Sequence, residues 1–225
     1  MSTKAVNKQQ ISLVTGAARG LGKAVCHLLS QKGHTVILGC RSQPAGLKAI
    51  DEILKKNPSV SDSSLMVVEL DVTKPETILE AASNIESKFG LLDTLTNNAG
   101  IAFEEDVQKV DLKNARQIFD VNFFGVIEVT NAMLPLLKKS DRARIVNVGS
   151  ILGSLAEHTD ENNAFIRSTK TMTYNASKAA LNMYTVDLAN KLKAEAKAQG
   201  KKTYCRVNCC HPGWCQSDLG NILGP

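Results

Sequence analysis

Ile11-Ser12-Leu13-Val14-Thr15-Gly16-Ala17-Ala18-Arg19-Gly20-Leu21-Gly22 decides how this chain folds. Ile11, Leu13 and Val14 predict a short buried strand, and Lys23–Gln31 is a helix-compatible run. Between them lie Gly16, Gly20 and Gly22, spaced G-x-x-x-G-x-G. Glycine lacks a Cβ, so such a turn can be tight and can let the backbone approach a pyrophosphate. The N–H groups that open the following helix, and its dipole, favour the phosphates. As a bare pattern the spacing is weak; its place between a first strand and a first helix gives it meaning.

The rest of the chain continues the alternation. Thr35–Leu38 predicts a second strand, Pro44–Lys56 a helix, Leu65–Leu70 a third strand, and Thr73-Lys74-Pro75-Glu76 a capping box opening a helix that stops before Gly90. Leu92–Thr96 predicts the fourth strand, Asp111–Lys139 one long helix, and Arg144–Gly149 the fifth strand, ending on Ser150. Met172–Gln199 reads as another long helix and Thr203–Cys210 as the sixth strand. Strands alternating with helices at this spacing predict an α/β fold: a Rossmann-type, doubly wound parallel sheet of order 3-2-1-4-5-6 with helices on both faces. Ligands are then expected at the carboxyl ends of the strands. Residues 1–225 are expected to form a single domain.

Where such a fold meets an adenosine ribose, roughly 20 residues past the glycines, an acid usually binds the ribose hydroxyls. This chain has Gly39-Cys40-Arg41 there, with Arg19 inside the glycine turn. Two guanidiniums suit a 2′-phosphate, so the expected cofactor is NADP(H).

Composition narrows the partners. A net charge of +5 is mild, and the lysine clusters lack the interleaved aromatics of a single-strand binder, so no nucleic-acid partner is expected. No apolar run is long enough to span a membrane, and a cytoplasmic protein is expected. The six cysteines read as reduced thiols; the late group Cys205, Cys209, Cys210 and Cys215 has no C-x-x-C pair, so no metal is expected.

Tyr174-Asn175-Ala176-Ser177-Lys178 carries the chemistry. Tyrosine and lysine four apart on a helix share a face. A phenol near pKa ~10 is too weak an acid for efficient proton exchange at neutral pH, and a neighbouring ammonium is expected to lower it. Ser150, at a strand's carboxyl end, could hydrogen-bond a carbonyl oxygen, although a strand-end serine often only caps a turn. Asn122 is a polar residue in an apolar helical stretch. A hydrolase built on Ser150 and His158 fails on context, because the serine lacks a G-x-S-x-G elbow.

Taken together these motifs resemble the short-chain dehydrogenase/reductase family over essentially the whole chain. The matches, in family order, are Thr15–Gly22, Asp71-Val72, Asn98-Ala99-Gly100, Asn122, Ser150, Tyr174 with Lys178, and Pro212-Gly213. Arg206–Trp214, with the arginine pair, looks most like the NADPH-dependent carbonyl reductase branch. The resemblance implies that Gly16, Arg19, Gly20, Leu21 and Gly22 hold the phosphates and Arg41 the 2′-phosphate. Asp71 and Val72 would meet the adenine; Asn98, Ala99 and Gly100 the middle of the cofactor; Pro212, Gly213 and Ser217 the nicotinamide. Tyr174 would donate a proton to the carbonyl, Lys178 would hold the nicotinamide ribose and tune Tyr174, and Ser150 would polarise the carbonyl. Asn122 would support a water-mediated relay to Lys178, and Trp214 would join Ser150 and Tyr174 around a small-molecule substrate.

The chain departs from the family pattern in two places. The connection from Ser150 to Tyr174 carries an extra polar piece, roughly Ala156–Thr173, expected as a loop beside the active site and favouring a monomer over a homo-oligomer. The chain also ends at Pro225, where the family usually continues to a seventh strand, so a C-terminally short domain is expected. The expected function is NADPH-dependent reduction of aldehydes, ketones or quinones. A steroid or lipid alcohol dehydrogenase of the same family and a catalytically inert NADPH-binding scaffold are the competing readings.

Overall fold

The computed structural model describes residues 9–201, 205–215 and 218–223. Six parallel strands stand in the expected order: β3 (Leu65–Glu69), β2 (Thr35–Cys40), β1 (Ile11–Thr15), β4 (Thr94–Asn97), β5 (Arg144–Val148) and β6 (Arg206–Cys210). Leu13 and Val14 show why the sheet is covered twice. Successive strand residues point to opposite faces, and both are fully buried. Leu13 packs in a core with Ile78, Val129, Met133 and Leu192, from α3 (Pro75–Phe89), α5 (Gly125–Leu137) and α8 (Met172–Ala198). Val14 packs on the other face with Cys26, Ala49, Ile50 and Ile53, from α1 (Gly20–Gln31) and α2 (Gln43–Lys56).

β2 is buried along its whole length, whereas β6, an edge of the sheet among the described residues, exposes Arg206, Asn208 and Cys210 and buries Val207. No helix among the described residues is long and apolar enough to cross a membrane. The described cysteines are free thiols, and no group of metal-ligating side chains is found among the described residues.

Three local expectations are corrected. The long helix is not uniform: α4 (Leu112–Phe119) runs into α5 through a π-helical stretch, Asp120–Phe124, centred on the fully buried Asn122. Such wide turns insert a residue into the ladder and re-aim a side chain. The capping box does not form. Asp71 accepts from the backbone N–H and the hydroxyl of Thr73 (3.0 and 2.8 Å), so the threonine is taken and Lys74 becomes the N-cap of α3. The connection after Ser150 is not an open loop: it folds into a 3₁₀ turn (Ile151–Gly153) and two short helices, α6 (Leu155–Thr159) and α7 (Ala164–Arg167).

Candidate active site

A cleft of about 700 Å³ opens at the carboxyl ends of the strands. It is lined by every residue named above as a candidate except Asn122, which lies behind its wall, and Ser217, which falls outside the described residues. One end is made largely of backbone. Gly16 has φ +64°, a conformation that side chains disfavour, and a Cβ there would come within 2.9 Å of the Ala99 Cα. A Cβ on Gly22 would collide with the carbonyl oxygen of Gly16 and the amide of Asn98. The turn is therefore closed against the loop after β4 with no room for one more carbon.

Thr15 locks the two together, a role its sequence position did not announce. Its hydroxyl oxygen accepts from the backbone N–H groups of Asn98 and Ala99, each at 3.0 Å, while the Asn98 amide donates to the Thr15 carbonyl at 2.9 Å. Gly20, Leu21 and Gly22, the first residues of α1, face the cleft, and their N-cap Arg19 does not cap the helix with its side chain. This is a cradle fitted to an anion. Arg41 follows the end of β2 and lines the same cleft with Arg19.

The other end is made of buried side chains on α8. Tyr174 is 3% exposed and Lys178 4%. Burial pushes the Tyr174 phenol up to about 12, and the Ser150 side chain beside it pulls the other way. The expected downward pull from Lys178 is absent. The lysine Nζ lies 5.6 Å from the centroid of the Tyr174 ring and donates instead to the Val148 carbonyl at 2.7 Å. Burial takes the Lys178 ammonium down to about 8. A buried site without a counter-charge penalises both ions, so the phenol is held protonated and the ammonium is poised near neutrality. Ser150 ends the β5 edge of the cleft as the N-cap of the 3₁₀ turn, accepting from Leu152 N–H at 3.2 Å.

Asn122 is held on three sides. Its amide accepts from Ile101 N–H (2.9 Å), donates to Ile101 O (2.9 Å) and donates to the Ser177 hydroxyl (3.1 Å). Ser177 in turn donates to the Tyr174 carbonyl at 2.7 Å. Gly100 faces both Asn122 and Lys178: a Cβ on it would meet Asn122 Oδ1 at 3.4 Å and Lys178 Nζ at 3.8 Å. Ser177 is thus the link between the π-helical stretch and α8. The signal available was only its place between Tyr174 and Lys178.

The segment between Ser150 and Tyr174 reaches the same end. Ile166 of α7 is buried with Ala102, Leu152 and Tyr174, and Phe165 meets Trp214 edge to face at 5.0 Å. His158 bonds the Leu152 carbonyl at 3.0 Å, a structural contact within the segment.

Comparison with known proteins agrees with this arrangement. The family described as short chain dehydrogenase matches residues 10–223. The chain is 32% identical to a short-chain dehydrogenase/reductase 1 of Saponaria officinalis, over 96% of this chain and 85% of the relative. It is also 32% identical to a (+)-neomenthol dehydrogenase of Arabidopsis thaliana, over 95% of this chain and 85% of that protein. The structure of salutaridine reductase from Papaver somniferum superimposes with a TM-score of 0.76 at 26% identity, covering 96% of this chain and 90% of that one. A parallel sheet closed over a glycine turn, with Tyr174 and Lys178 brought to its far end, places this chain in the short-chain dehydrogenase/reductase family, oxidoreductases that work with nicotinamide cofactors between alcohols and carbonyls.

Proposed function

We propose that the protein reduces aldehydes, ketones or quinones to alcohols with NADPH. The observation that carries this reading is a protonated phenol, Tyr174, beside the Ser150 hydroxyl, at one end of a cleft whose other end is a glycine cradle flanked by Arg19 and Arg41. The glycine cradle suits a pyrophosphate and the arginine pair a 2′-phosphate; no acid stands where a ribose 2′-hydroxyl would want one. When bound there, the dihydronicotinamide supplies hydride to the carbonyl carbon.

The chain's own residues do the rest. Ser150 holds the carbonyl oxygen, and Tyr174 gives its phenolic proton to that oxygen as negative charge develops on it. Lys178, as the ammonium, is the next proton source; Asn122 Oδ1 and Lys178 Nζ both face Gly100, where a bridging water would connect them to solvent. A phenol held at about 12 carries its proton at neutral pH, which is the form that reduction requires of the donor. Relatives carry the names (+)-neomenthol dehydrogenase and salutaridine reductase, which supports alcohol–carbonyl exchange on a small molecule.

The test is NADPH consumption against a panel of aldehydes, ketones and quinones, with Tyr174→Phe alongside. Turnover by the parent chain and a loss of about 10²–10⁴-fold in the variant, with NADPH binding kept, is expected. Residual turnover within a few-fold of the parent would mean the proton donor is misassigned.

A further inference from the structure

α8 starts without the help its own sequence should give it. The first N–H groups of a helix have no intrahelical acceptor. The N-cap Thr171 does not cap α8 with its side chain, and its hydroxyl donates to Asn175 Oδ1 at 3.1 Å instead. The first turn also contains no acid. The missing partner comes from far away in sequence. Glu105, in the loop after β4, is 8% exposed; its Oε2 accepts from Thr173 N–H and its Oε1 from the Thr173 hydroxyl, both at 2.8 Å. The Glu105 backbone N–H donates to the Lys170 carbonyl at 2.7 Å. A buried carboxylate is costly unless hydrogen-bonded, and here it meets two donors and the positive end of a 27-residue helix.

We propose that Glu105 is a positioning residue for Tyr174. Thr173 is the residue before the phenol, so a carboxylate gripping both its N–H and its hydroxyl sets the rotation of the turn from which Tyr174 projects. The same loop reaches the site twice more: Ile101 is bonded to Asn122, and Ala102 packs in one cluster with Tyr174. Glu105 thereby fastens the segment next to Gly100 to the helix that carries the proton donor.

The inference rests on the reductase reading for its kinetic test and on the structure alone for a second one. Glu105→Ala is expected to lower kcat tenfold or more, with the carbonyl KM and the NADPH Kd within about twofold of the parent. Glu105→Gln, which keeps an oxygen for Thr173 N–H and an amide for the hydroxyl, should recover most of that loss. Adding Thr173→Val to Glu105→Ala should cost nothing further, since the contact is already gone. Unchanged kcat in Glu105→Ala overturns the proposal, as does a loss shared equally by kcat, NADPH binding and global hydrogen exchange. Hydrogen exchange provides the independent reading: the Thr173 amide should exchange faster in Glu105→Ala while amides of β1 and α5 keep their rates. Should the parent chain reduce none of the carbonyls, the reductase reading fails by itself. Thr173 exchange then decides: faster locally, it upholds the grip on α8; unchanged, it overturns it.

Discussion

The two ends of the cleft are built from different materials. Around Gly16 and Gly22 the walls are mostly backbone with the Asn98 amide, closed to within one carbon atom, and the flanking Arg19 and Arg41 are exposed. Around Tyr174 and Lys178 they are side chains, and two ionisable groups sit almost wholly out of water. Steric closure tolerates no added atom but is indifferent to pH. A buried phenol and ammonium tolerate changes of shape better, yet their function follows their protonation. On the proposed reading, binding rests on geometry and chemistry on desolvation, and each end should fail in its own way.

The glycine end should show the largest effect. Gly22→Val puts branched carbon where even a Cβ meets the Gly16 carbonyl, and relief requires the turn to open. NADPH affinity is expected to fall on the order of 100-fold or more, with destabilisation of about 1–3 kcal/mol, read by cofactor titration and thermal melting. Near-parental affinity would show that the turn is not the phosphate cradle. Arg41→Asp is the electrostatic counterpart. Loss of a charge-assisted contact should shift preference from NADPH towards NADH by roughly 10- to 150-fold, whereas equal weakening of both would remove Arg41 from the 2′-phosphate.

The reaction end should respond to pH. In the proposed reaction Lys178 works as the ammonium, and burial lowers it to about 8, so kcat/KM for reduction should be flat below about 8 and fall about tenfold per unit above it. A plateau reaching past pH 9 would place the ammonium outside the reaction. The smallest effect concerns stability. The folded value of Lys178 lies below its ordinary 10.5, so between about 8 and 10.5 the unfolded chain binds more protons and stability rises with pH. Below about 8 both states are protonated and the burial penalty is fully present, on the order of 3 kcal/mol. Lys178→Met should therefore melt higher than the parent at pH 7 while losing turnover, and denaturant titrations should find its stability less dependent on pH across that window.

Much of this could be read along the chain because it is local. A strand such as Ile11–Thr15 announces itself by its apolar residues, and glycines at fixed offsets announce a turn that only glycine can make. The order of the strands follows from alternation and handedness. Thr73 shows where local reading misleads: its spacing to Glu76 fits a cap, but Asp71 two residues earlier binds its hydroxyl first. The π turn at Asn122 was equally invisible, because apolar periodicity does not register one inserted residue held by Ile101 and Ser177.

By itself, then, the sequence determined the sheet, the glycine turn and the identity of the residues gathered at its carboxyl edge, since each depends on neighbours a few positions away. Tertiary structure alone decided their electrostatics and their support. Whether Lys178 lowers the Tyr174 phenol or burial raises it depends on what surrounds both side chains. Whether α8 is held at its first turn depends on a carboxylate that stands 68 residues earlier. Desolvation and long-range hydrogen bonds have no period and no spacing; they exist only once the chain has closed around them.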